Sequence, residues 1–411
     1  MRQRAFWVTL LVGFWCCLSS VLWTPEAAAF TEEQKLLLQS WRLVNQSYYD
    51  DTFNHQNWWA VRQQFIKQPL NNREQAYEAI EKMLATLDEP FTRLLRPEQY
   101  HNLQISTTGE LSGVGLQINI NPETGNLEVV APLSGSPAES AGLKSRDRIL
   151  YIDNVDTKTL SLDEAAARMR GPSGSKVTLT ILSQGNSPEK NVQLTRQRIA
   201  LSPVVASLDK SHDLPVGYIR LNQFSANAAK ETNQAVTGLK KQGAKGYILD
   251  LRNNPGGLLQ SGIEIARMWV NQGTIVYTVN REGISDSFTA SGNALTDAPL
   301  AVLVNGGTAS ASEILAGALQ DNGRAALIGE KTFGKGLIQS LFELPDGAGI
   351  AITVAKYETP NHHDIHKLGI IPDQMVSQEA ITYGQVGSEA DSQYQAALQY
   401  LTHQGVLAHA S

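Results

Sequence analysis

Two short blocks of this chain carry side chains that could perform acyl transfer. The first, VNGGTASASE, contains Ser310, and the second, TFGKGLIQ, contains Lys335 between two glycines. A serine hydroxyl needs a base to take its proton, and a lysine can be that base only when it is neutral. Burial among apolar neighbours lowers the pKa of a lysine from its ordinary value of about 10.4. Because Phe333, Leu337 and Ile338 flank Lys335, the sequence predicts such surroundings, without a carboxylate partner.

A third block offers backbone N–H groups for the oxyanion that acyl transfer develops. It reads LRNNPGG over residues 251–257, between an apolar strand pattern and a helical pattern. A glycine-rich corner at the start of a helix exposes amides where the helix dipole favours an anion. Each such donor stabilises the transition state by roughly 3–4 kcal/mol. The alternative is that Gly256 and Gly257 serve only a sharp turn. A second natural donor is the amide of Ala311, directly after the serine.

Two other motifs compete with this interpretation, and each lacks part of what it requires. Residues 329–336 match a phosphate-binding loop except at the last position, where Gly336 replaces the serine or threonine that would hold magnesium. The residues that follow also predict a strand, whereas a phosphate-binding loop opens a helix. Ser173 and Lys176 have the Ser-x-x-Lys spacing of penicillin-recognising enzymes. The adjacent Gly-Pro pair at 171–172 predicts a turn there instead.

Histidines offer another route to catalysis or metal binding. His362, His363 and His366 cluster after Pro360, which favours a loop, and no glutamate completes a zinc motif. We therefore predict no metal and no cofactor. A serine–histidine–aspartate triad stays compatible with the composition, because such triads have no fixed order along a chain.

The serine and lysine blocks resemble the signature of carboxyl-terminal-processing peptidases, also called tail-specific proteases. In that signature the nucleophile is the first serine of the Ala-Ser-Ala-Ser run, so Ser312 is a structural neighbour. The resemblance implies a nucleophile, a general base, an amide that positions the lysine, two oxyanion donors and a structural aspartate. These roles fall on Ser310, Lys335, Gln339, Gly256 with Ala311, and Asp321, respectively.

Three further segments resemble the photosynthetic branch of that family: LDEPFTR at 87–93, TASASEILAGALQDNGRA at 308–325 and VAKYETP at 354–360. Glu89 and Phe91 depart from the commoner Asp and Tyr. That branch trims a C-terminal extension from the photosystem II reaction-centre protein precursor on the lumenal side of the thylakoid. The resemblance thus implies an exported serine endopeptidase that acts near protein C-termini. The alternatives are a general tail-specific protease for other exported proteins and a non-catalytic peptide-binding scaffold.

The pattern along the chain predicts a multi-domain α/β protein in five segments. Residues 1–29 have a basic start, an apolar run and a small-residue end, which is typical of a cleavable signal peptide. The resemblance gives the catalytic segment the β-β-α spiral of crotonase-like and Clp-type hydrolases. The remaining segments are a helical N-terminal domain, a PDZ domain, the catalytic domain and a helical tail, over 30–101, 102–196, 197–378 and 379–411.

The segment 102–196 combines glycines, short strands and one helix in an order that resembles a PDZ domain. In such a domain a glycine-containing loop turns amides toward a peptide's terminal carboxylate, and the next strand adds the peptide to the sheet. Arg170 lies where some relatives couple docking to the active site, with a plain surface arginine as the alternative. The residues expected to contact the peptide are Gly113, Val114, Gly115, Leu116, Gln117 and Ile118.

Composition limits the partners and the compartment. Cys16 and Cys17 are the two cysteines, and both lie in the predicted signal peptide, so the mature chain would have no disulfide or thiol chemistry. Removing that peptide takes away Arg2, Arg4 and Glu26 and moves the formal charge from −6 to −7. An acidic chain without a basic run is poorly suited to nucleic acid. We expect a monomer that binds protein tails in the thylakoid lumen or periplasm; peripheral membrane contact or a retained anchor are the alternatives.

Overall fold

The computed structural model describes residues 30–410, apart from residues 122, 134, 184–187, 212–213, 380 and 382–384. The predicted signal peptide therefore lies outside the described residues. Within these bounds, no helix is long and apolar enough to cross a membrane. The chain divides into two compact units.

The first unit contains residues 30–48, 52–96 and 341–352. A polar side chain caps the start of each of its helices: Thr31, Asn57 and Asn72 each accept a backbone N–H three residues ahead. The three helices are α1 Glu32–Ser47, α2 Trp58–Ile66 and α3 Arg73–Ala85. A short strand, β1 Arg93–Leu95, pairs antiparallel with Gly349–Ala351.

The second unit contains residues 49–51, 97–340 and 353–410. Its first part is a small antiparallel sheet of order β3-β4-β5-β7-β8, in which β3 is an edge strand. The strands are β2 Glu110–Gly113, β3 Leu116–Ile120, β4 Leu127–Pro132, β5 Arg148–Ile152, β6 Val155–Asp156, β7 Lys176–Leu182, β8 Lys190–Thr195 and β9 Gln197–Ala200. The helices are α4 Pro97–Thr108, α5 Pro137–Ser140 and α6 Leu162–Met169. Helix α6 contacts the edge strand β3.

The rest of the second unit is built on a six-stranded sheet of order β10-β11-β12-β15-β16-β19, parallel except for β10. The strands of this part of the chain are β10 Val204–Asp209, β11 Val216–Leu221, β12 Gly246–Asp250, β13 Thr274–Asn280, β14 Gly283–Thr289, β15 Leu300–Val304, β16 Ala326–Gly329, β17 Leu337–Glu343, β18 Gly349–Glu358 and β19 Gln374–Met375. Of these, β13, β14, β17 and β18 lie outside the six-stranded sheet, and β17 and β18 extend into residues 341–352, which belong to the first unit. The helices are α7 Ala228–Lys241, α8 Leu259–Arg267, α9 Ala311–Asp321 and α10 Ser392–Ala410.

Strands β12 and β15 are buried along their whole length because both faces of the sheet are covered, and β15 is apolar throughout. Leu249 and Val302 belong to a core that also contains buried residues of α7, α8 and α9. Ile248 and Leu303 alternate with them and belong to a second core, which includes Leu398 of α10. The multi-domain α/β class predicted from the sequence is confirmed.

A buried ion cluster joins the end of β12 to the segment before α10. Arg252 is only 6% exposed and donates to Asp250 at 2.7 and 3.0 Å and to Asp391 at 2.7 and 2.9 Å. Tyr218 donates its hydroxyl to Asp250 at 2.7 Å. Burial opposes the charge of Asp391, but its bonds from Arg252 and from backbone N–H groups outweigh that effect and hold its pKa below the ordinary value. The cluster fixes the backbone that enters loop 253–257.

Replacing Arg252 with methionine should lower the free energy of unfolding by about 3–5 kcal/mol, because buried Asp391 loses its counter-charge and Asp250 keeps only that of Arg220, at 3.8 Å. Urea unfolding followed by circular dichroism measures the change. The control is Arg198→Met, at an exposed position, which should change stability by no more than about 0.5 kcal/mol. Equal stability of the two variants would contradict this role for the cluster.

Candidate active site

Three loops that carry predicted site residues begin at the same edge of the main sheet. Strands β12, β15 and β16 are adjacent and parallel, so their carboxyl ends lie side by side. The loop after β12 carries Gly256, the loop after β15 carries Ser310, and the loop after β16 carries Lys335. Sites in open α/β sheets commonly form at this end of the strands. The topology therefore gathers residues from three separate sequence blocks.

Ser310 directly precedes α9 and has φ 58° and ψ −120°, a conformation that is uncommon outside glycine. Such strain costs about 1–3 kcal/mol and persists only where the surroundings enforce it. A serine on a sharp strand-to-helix turn is typical of nucleophiles whose hydroxyl must be exposed to substrate. Ser312, by contrast, is fully buried, and its hydroxyl donates to the carbonyl of Asn254 at 3.0 Å. This geometry favours Ser310 over Ser312.

The carboxylate of Glu313 joins the serine block to the lysine block. Glu313 is fully buried, and its Oε2 accepts the backbone N–H of Ser310 at 2.9 Å and that of Lys335 at 2.8 Å. Its Oε1 accepts the hydroxyl of Thr332 at 2.5 Å and the N–H of Gly334 at 2.7 Å. Hydrogen bonds to a charged group are worth about 1.5–3 kcal/mol each. Four such bonds therefore offset the cost of burying one charge and hold the two loops against each other.

Glu313 is absent from the site residues predicted from the sequence, although the sequence contains a signal for it. A glutamate three residues after a serine, just before an apolar run, is the capping pattern of a helix start. Here the carboxylate does accept the backbone N–H of Ser310, as that pattern predicts. The bonds from Thr332 and Gly334 could not be anticipated, because they depend on how β16 pairs with β15.

The surroundings of Lys335 differ from the prediction in two respects. Leu337 is buried and Ile338 packs against the main core, as expected for apolar neighbours. Phe333, however, is 58% exposed, because the residues on either side of it are buried and the backbone alternates. The sequence also suggested no carboxylate nearby, whereas the Glu313 carboxylate lies against the backbone of Lys335.

Gly256 lies so close to Ser310 that a side chain at position 256 would not fit. Its φ is 98°, and a Cβ there would lie 2.8 Å from the Cβ of Ser310 and 2.9 Å from the nitrogen of Ala311. Its N–H donates to Oδ1 of Asn254 at 2.9 Å, so it can reach an oxyanion only if that bond is shared or released. Ala311 is the first residue of α9, where backbone N–H groups have no partner within the helix.

The structure also shows the hydrogen bonds of two further predicted site residues, Gln339 and Asp321. Gln339 lies on β17 and donates its amide to the hydroxyl of Thr353 at 3.3 Å. Its role toward Lys335 stays a prediction. Asp321 ends α9 and accepts the backbone N–H of Asn361 at 2.9 Å, which connects the loop after β18 to the helix that follows Ser310.

Of the clustered histidines, His362 and His363 are exposed and His366 is half-buried. His362 stacks on Tyr277 with ring centroids 4.2 Å apart, and its Nδ1 lies 2.8 Å from a carboxylate oxygen of Glu358. Within the described ranges, no three histidine, cysteine or acidic side chains come together as a metal site would require.

The predicted peptide-binding loop lies between β2 and β3. Gly115 has φ 74°, and a Cβ there would lie 2.3 Å from the Cβ of Ser136, so the loop requires glycine. Val114 is buried beneath the loop, and its carbonyl accepts the N–H of Ala138 at 3.0 Å. Leu116, Gln117 and Ile118 lie on β3, the edge strand, to which a peptide strand could add.

Arg170 connects this loop to the helix that leads toward the main sheet. It follows α6, forms an isolated antiparallel bridge with Gly113, and donates through Nη1 to Oδ1 of Asn102 on α4 at 2.8 Å. Near the end of α4, the carbonyl of Thr107 accepts the N–H of Ala226, just before α7, at 2.9 Å. A contiguous set of contacts thus runs from the loop to the main sheet's helices.

Comparison with known proteins gives consistent matches. Residues 215–376 match peptidase family S41, and residues 102–182 match the PDZ domain. The whole chain is 69% identical to a carboxyl-terminal-processing protease from Synechocystis sp., covering 96% of it. It is 46% identical to the chloroplastic carboxyl-terminal-processing peptidase 2 of Arabidopsis thaliana, over 85% of this chain and 70% of that protein. The solved structure of a photosystem II D1 C-terminal processing protease matches 88% of this chain and 99% of its own, with 41% identity and a TM-score of 0.57.

Replacing Glu313 with glutamine should lower kcat for peptide hydrolysis by about 100-fold or more, since two of the four donors would then face an amide NH₂ instead of an oxygen. Stability should fall by ~3 kcal/mol for the same reason. The control is Glu264→Gln, at an exposed position on α8, which removes a carboxylate of the same size. Steady-state kinetics and urea unfolding measure both quantities. A kcat for Glu313→Gln equal to that of the parent would contradict the proposal that Glu313 holds the serine and lysine loops in place.

Proposed function

The chain belongs to peptidase family S41, the carboxyl-terminal-processing proteases, and we propose that Ser310 is its nucleophile and Lys335 its general base. The observation that carries this proposal is the shared carboxylate of Glu313, one oxygen of which accepts the backbone N–H groups of both residues. Serine and lysine then suffice, because a neutral lysine can take the proton that histidine takes in other serine hydrolases.

In the acylation step, neutral Lys335 takes the proton of the Ser310 hydroxyl as the oxygen attacks the scissile carbonyl. The carbonyl oxygen becomes an oxyanion, which accepts hydrogen bonds from the N–H groups of Ala311 and Gly256. For Gly256 this includes sharing or releasing the bond to Asn254. When the C–N bond breaks, Lys335 gives its proton to the departing amine, and the remaining part of the substrate is an ester on Ser310.

In the second step, Lys335 takes a proton from water as the water oxygen attacks the ester carbonyl. When the bond between the acyl carbon and the Ser310 oxygen breaks, Lys335 returns that proton to the serine oxygen, and the product leaves with a new C-terminal carboxyl group. Gln339 orients the lysine in this scheme, and Asp321 holds the loop after β18 against α9. The N-terminus of α9 points at Ser310, where its dipole favours the developing negative charge.

The family acts on the C-terminal tails of substrate proteins, and the PDZ domain is the element suited to bind such a tail. The amides of the loop Gly113–Gly115 receive the terminal carboxylate, and the tail pairs with the open edge of β3. Arg170 contacts both that loop and Asn102, and it couples binding of the tail to the catalytic domain through these contacts.

The substrate that fits best is the photosystem II reaction-centre D1 precursor, from which the enzyme removes the C-terminal extension. Support comes from the 41% identical relative named a photosystem II D1 C-terminal processing protease and from cyanobacterial and chloroplastic relatives. In this proposal residues 1–29 are a cleaved signal peptide that delivers the enzyme to the thylakoid lumen or periplasm.

The decisive comparison uses the chain from Phe30 onward and a peptide copy of the D1 tail with a free or an amidated C-terminus. The parent should cleave the free peptide, whereas Ser310→Ala and Lys335→Ala should each lose at least about 1000-fold in kcat/KM. Amidation should lower the parent's kcat/KM, because it removes the charge that the loop at 113–115 receives.

Three outcomes discriminate the alternatives. Cleavage by Ser310→Ala would reject the nucleophile assignment. Binding without cleavage by the parent would favour the scaffold. Equal cleavage of D1 tails and unrelated apolar tails would favour a general tail-specific protease.

A further inference from the structure

The strained backbone of Ser310 is held at both of its polar groups. Its N–H donates to Glu313 at 2.9 Å. Its carbonyl accepts the N–H groups of Glu313 at 2.7 Å and Ile314 at 3.0 Å, both from the same turn of α9. The same carbonyl also accepts the hydroxyl of Tyr357 at 3.1 Å, and this donor comes from a different element, β18. Because strain persists only when the surroundings enforce it, a restraint from outside the helix matters most.

Tyr357 also contacts the lysine block. Its backbone N–H donates to the carbonyl of Gly336, directly after Lys335, at 3.0 Å. One residue therefore holds the nucleophile through its side chain and the lysine segment through its backbone. Strand β18 is itself anchored there, because Tyr357 pairs with Thr278 of β13. Strand β18, which belongs to neither block, thus helps to fix the position of Ser310 relative to the segment that contains Lys335.

The surroundings of Tyr357 keep its hydroxyl a donor. The side chain is 1% exposed, and burial together with the nearby charges of Glu313 and Asp364 raises its pKa well above the ordinary value. The phenol therefore stays protonated, and its proton points to the carbonyl of Ser310.

We propose that Tyr357 is a positioning residue for the reaction: its hydroxyl holds the Ser310 carbonyl and so sets the nucleophile's orientation toward Lys335. The inference rests on the proposed function, in which Ser310 is the nucleophile. A tyrosine that only filled the core would need its ring but not its hydroxyl, which separates the two roles.

The test is Tyr357→Phe, which keeps the ring and the backbone N–H and removes only the hydroxyl. We expect kcat for the D1-tail peptide to fall about tenfold while KM and the thermal unfolding midpoint stay near the parental values. The matched control is Tyr247→Phe in the same core. Tyr247 is fully buried, and its hydroxyl has no hydrogen-bond partner in the described part of the chain, so its loss should leave kcat unchanged.

A second measurement keeps the test decisive if Tyr357→Phe folds poorly. With enzyme in saturating excess over a fluorogenic tail peptide, the single-turnover rate constant does not depend on how much of the enzyme is folded. A rate constant equal to that of the parent, or a change matched by Tyr247→Phe, would overturn the positioning role.

Ser310→Ala, run in parallel, distinguishes this inference from the proposed function. If Ser310→Ala is inactive and Tyr357→Phe is fully active, only the role of Tyr357 fails. If Ser310→Ala still cleaves, the nucleophile assignment fails, and the role of Tyr357 fails with it.

Discussion

The arrangement of the active site depends on one buried carboxylate. Glu313 accepts hydrogen bonds from Ser310, Thr332, Gly334 and Lys335, so that a single ionised group connects two loops from different strands. A charge buried without partners would be prohibitively unfavourable, and the four donors are what make its burial tolerable. The same dependence makes the geometry specific, because displacing either loop would leave the carboxylate partly unsatisfied. The same four hydrogen bonds therefore stabilise the buried carboxylate and align the two loops.

The main sheet supplies the framework that makes this tie possible. Three adjacent parallel strands end at one edge, so their loops start within reach of one another. The cluster of Arg252 with Asp250 and Asp391 fixes the backbone where the first loop begins. Asn254, fully buried, accepts from the N–H of Gly256 and from that of Ala309, and so ties this loop to the serine block. Hydrogen bonds and ion pairs thus hold the loops in place at the strand ends, whereas apolar packing holds the strands themselves in place.

Much of this arrangement could be predicted from the sequence, and what could not has a physical reason. The α/β class and strands such as β12 and β15 follow from short apolar runs between helical patterns. Strand β14 cannot be predicted in this way, because its side chains are nearly all exposed and no apolar alternation marks it in the sequence. Phe333 was expected to cover Lys335, but its exposure is decided by the burial of its two neighbours. Local motifs point to Ser310 and Lys335, and a helix-capping pattern marks Glu313. The bonds of Glu313 with Thr332 and Gly334, and that of Tyr357 with Ser310, join distant segments that only the folded chain brings together.

The central claim is that Ser310 forms a covalent intermediate with the assistance of Lys335, and trapping that intermediate tests it most directly. A D1-tail peptide ester, whose good leaving group makes acylation fast, would be mixed with the enzyme, quenched in acid and analysed by peptide mass spectrometry. We predict an acyl group on the proteolytic peptide that contains Ser310, with fragment ions that place it on that residue. The amount of acylated peptide should be much smaller for Lys335→Ala. An acyl group on Ser312 or elsewhere, or equal acylation without the lysine, would contradict the account.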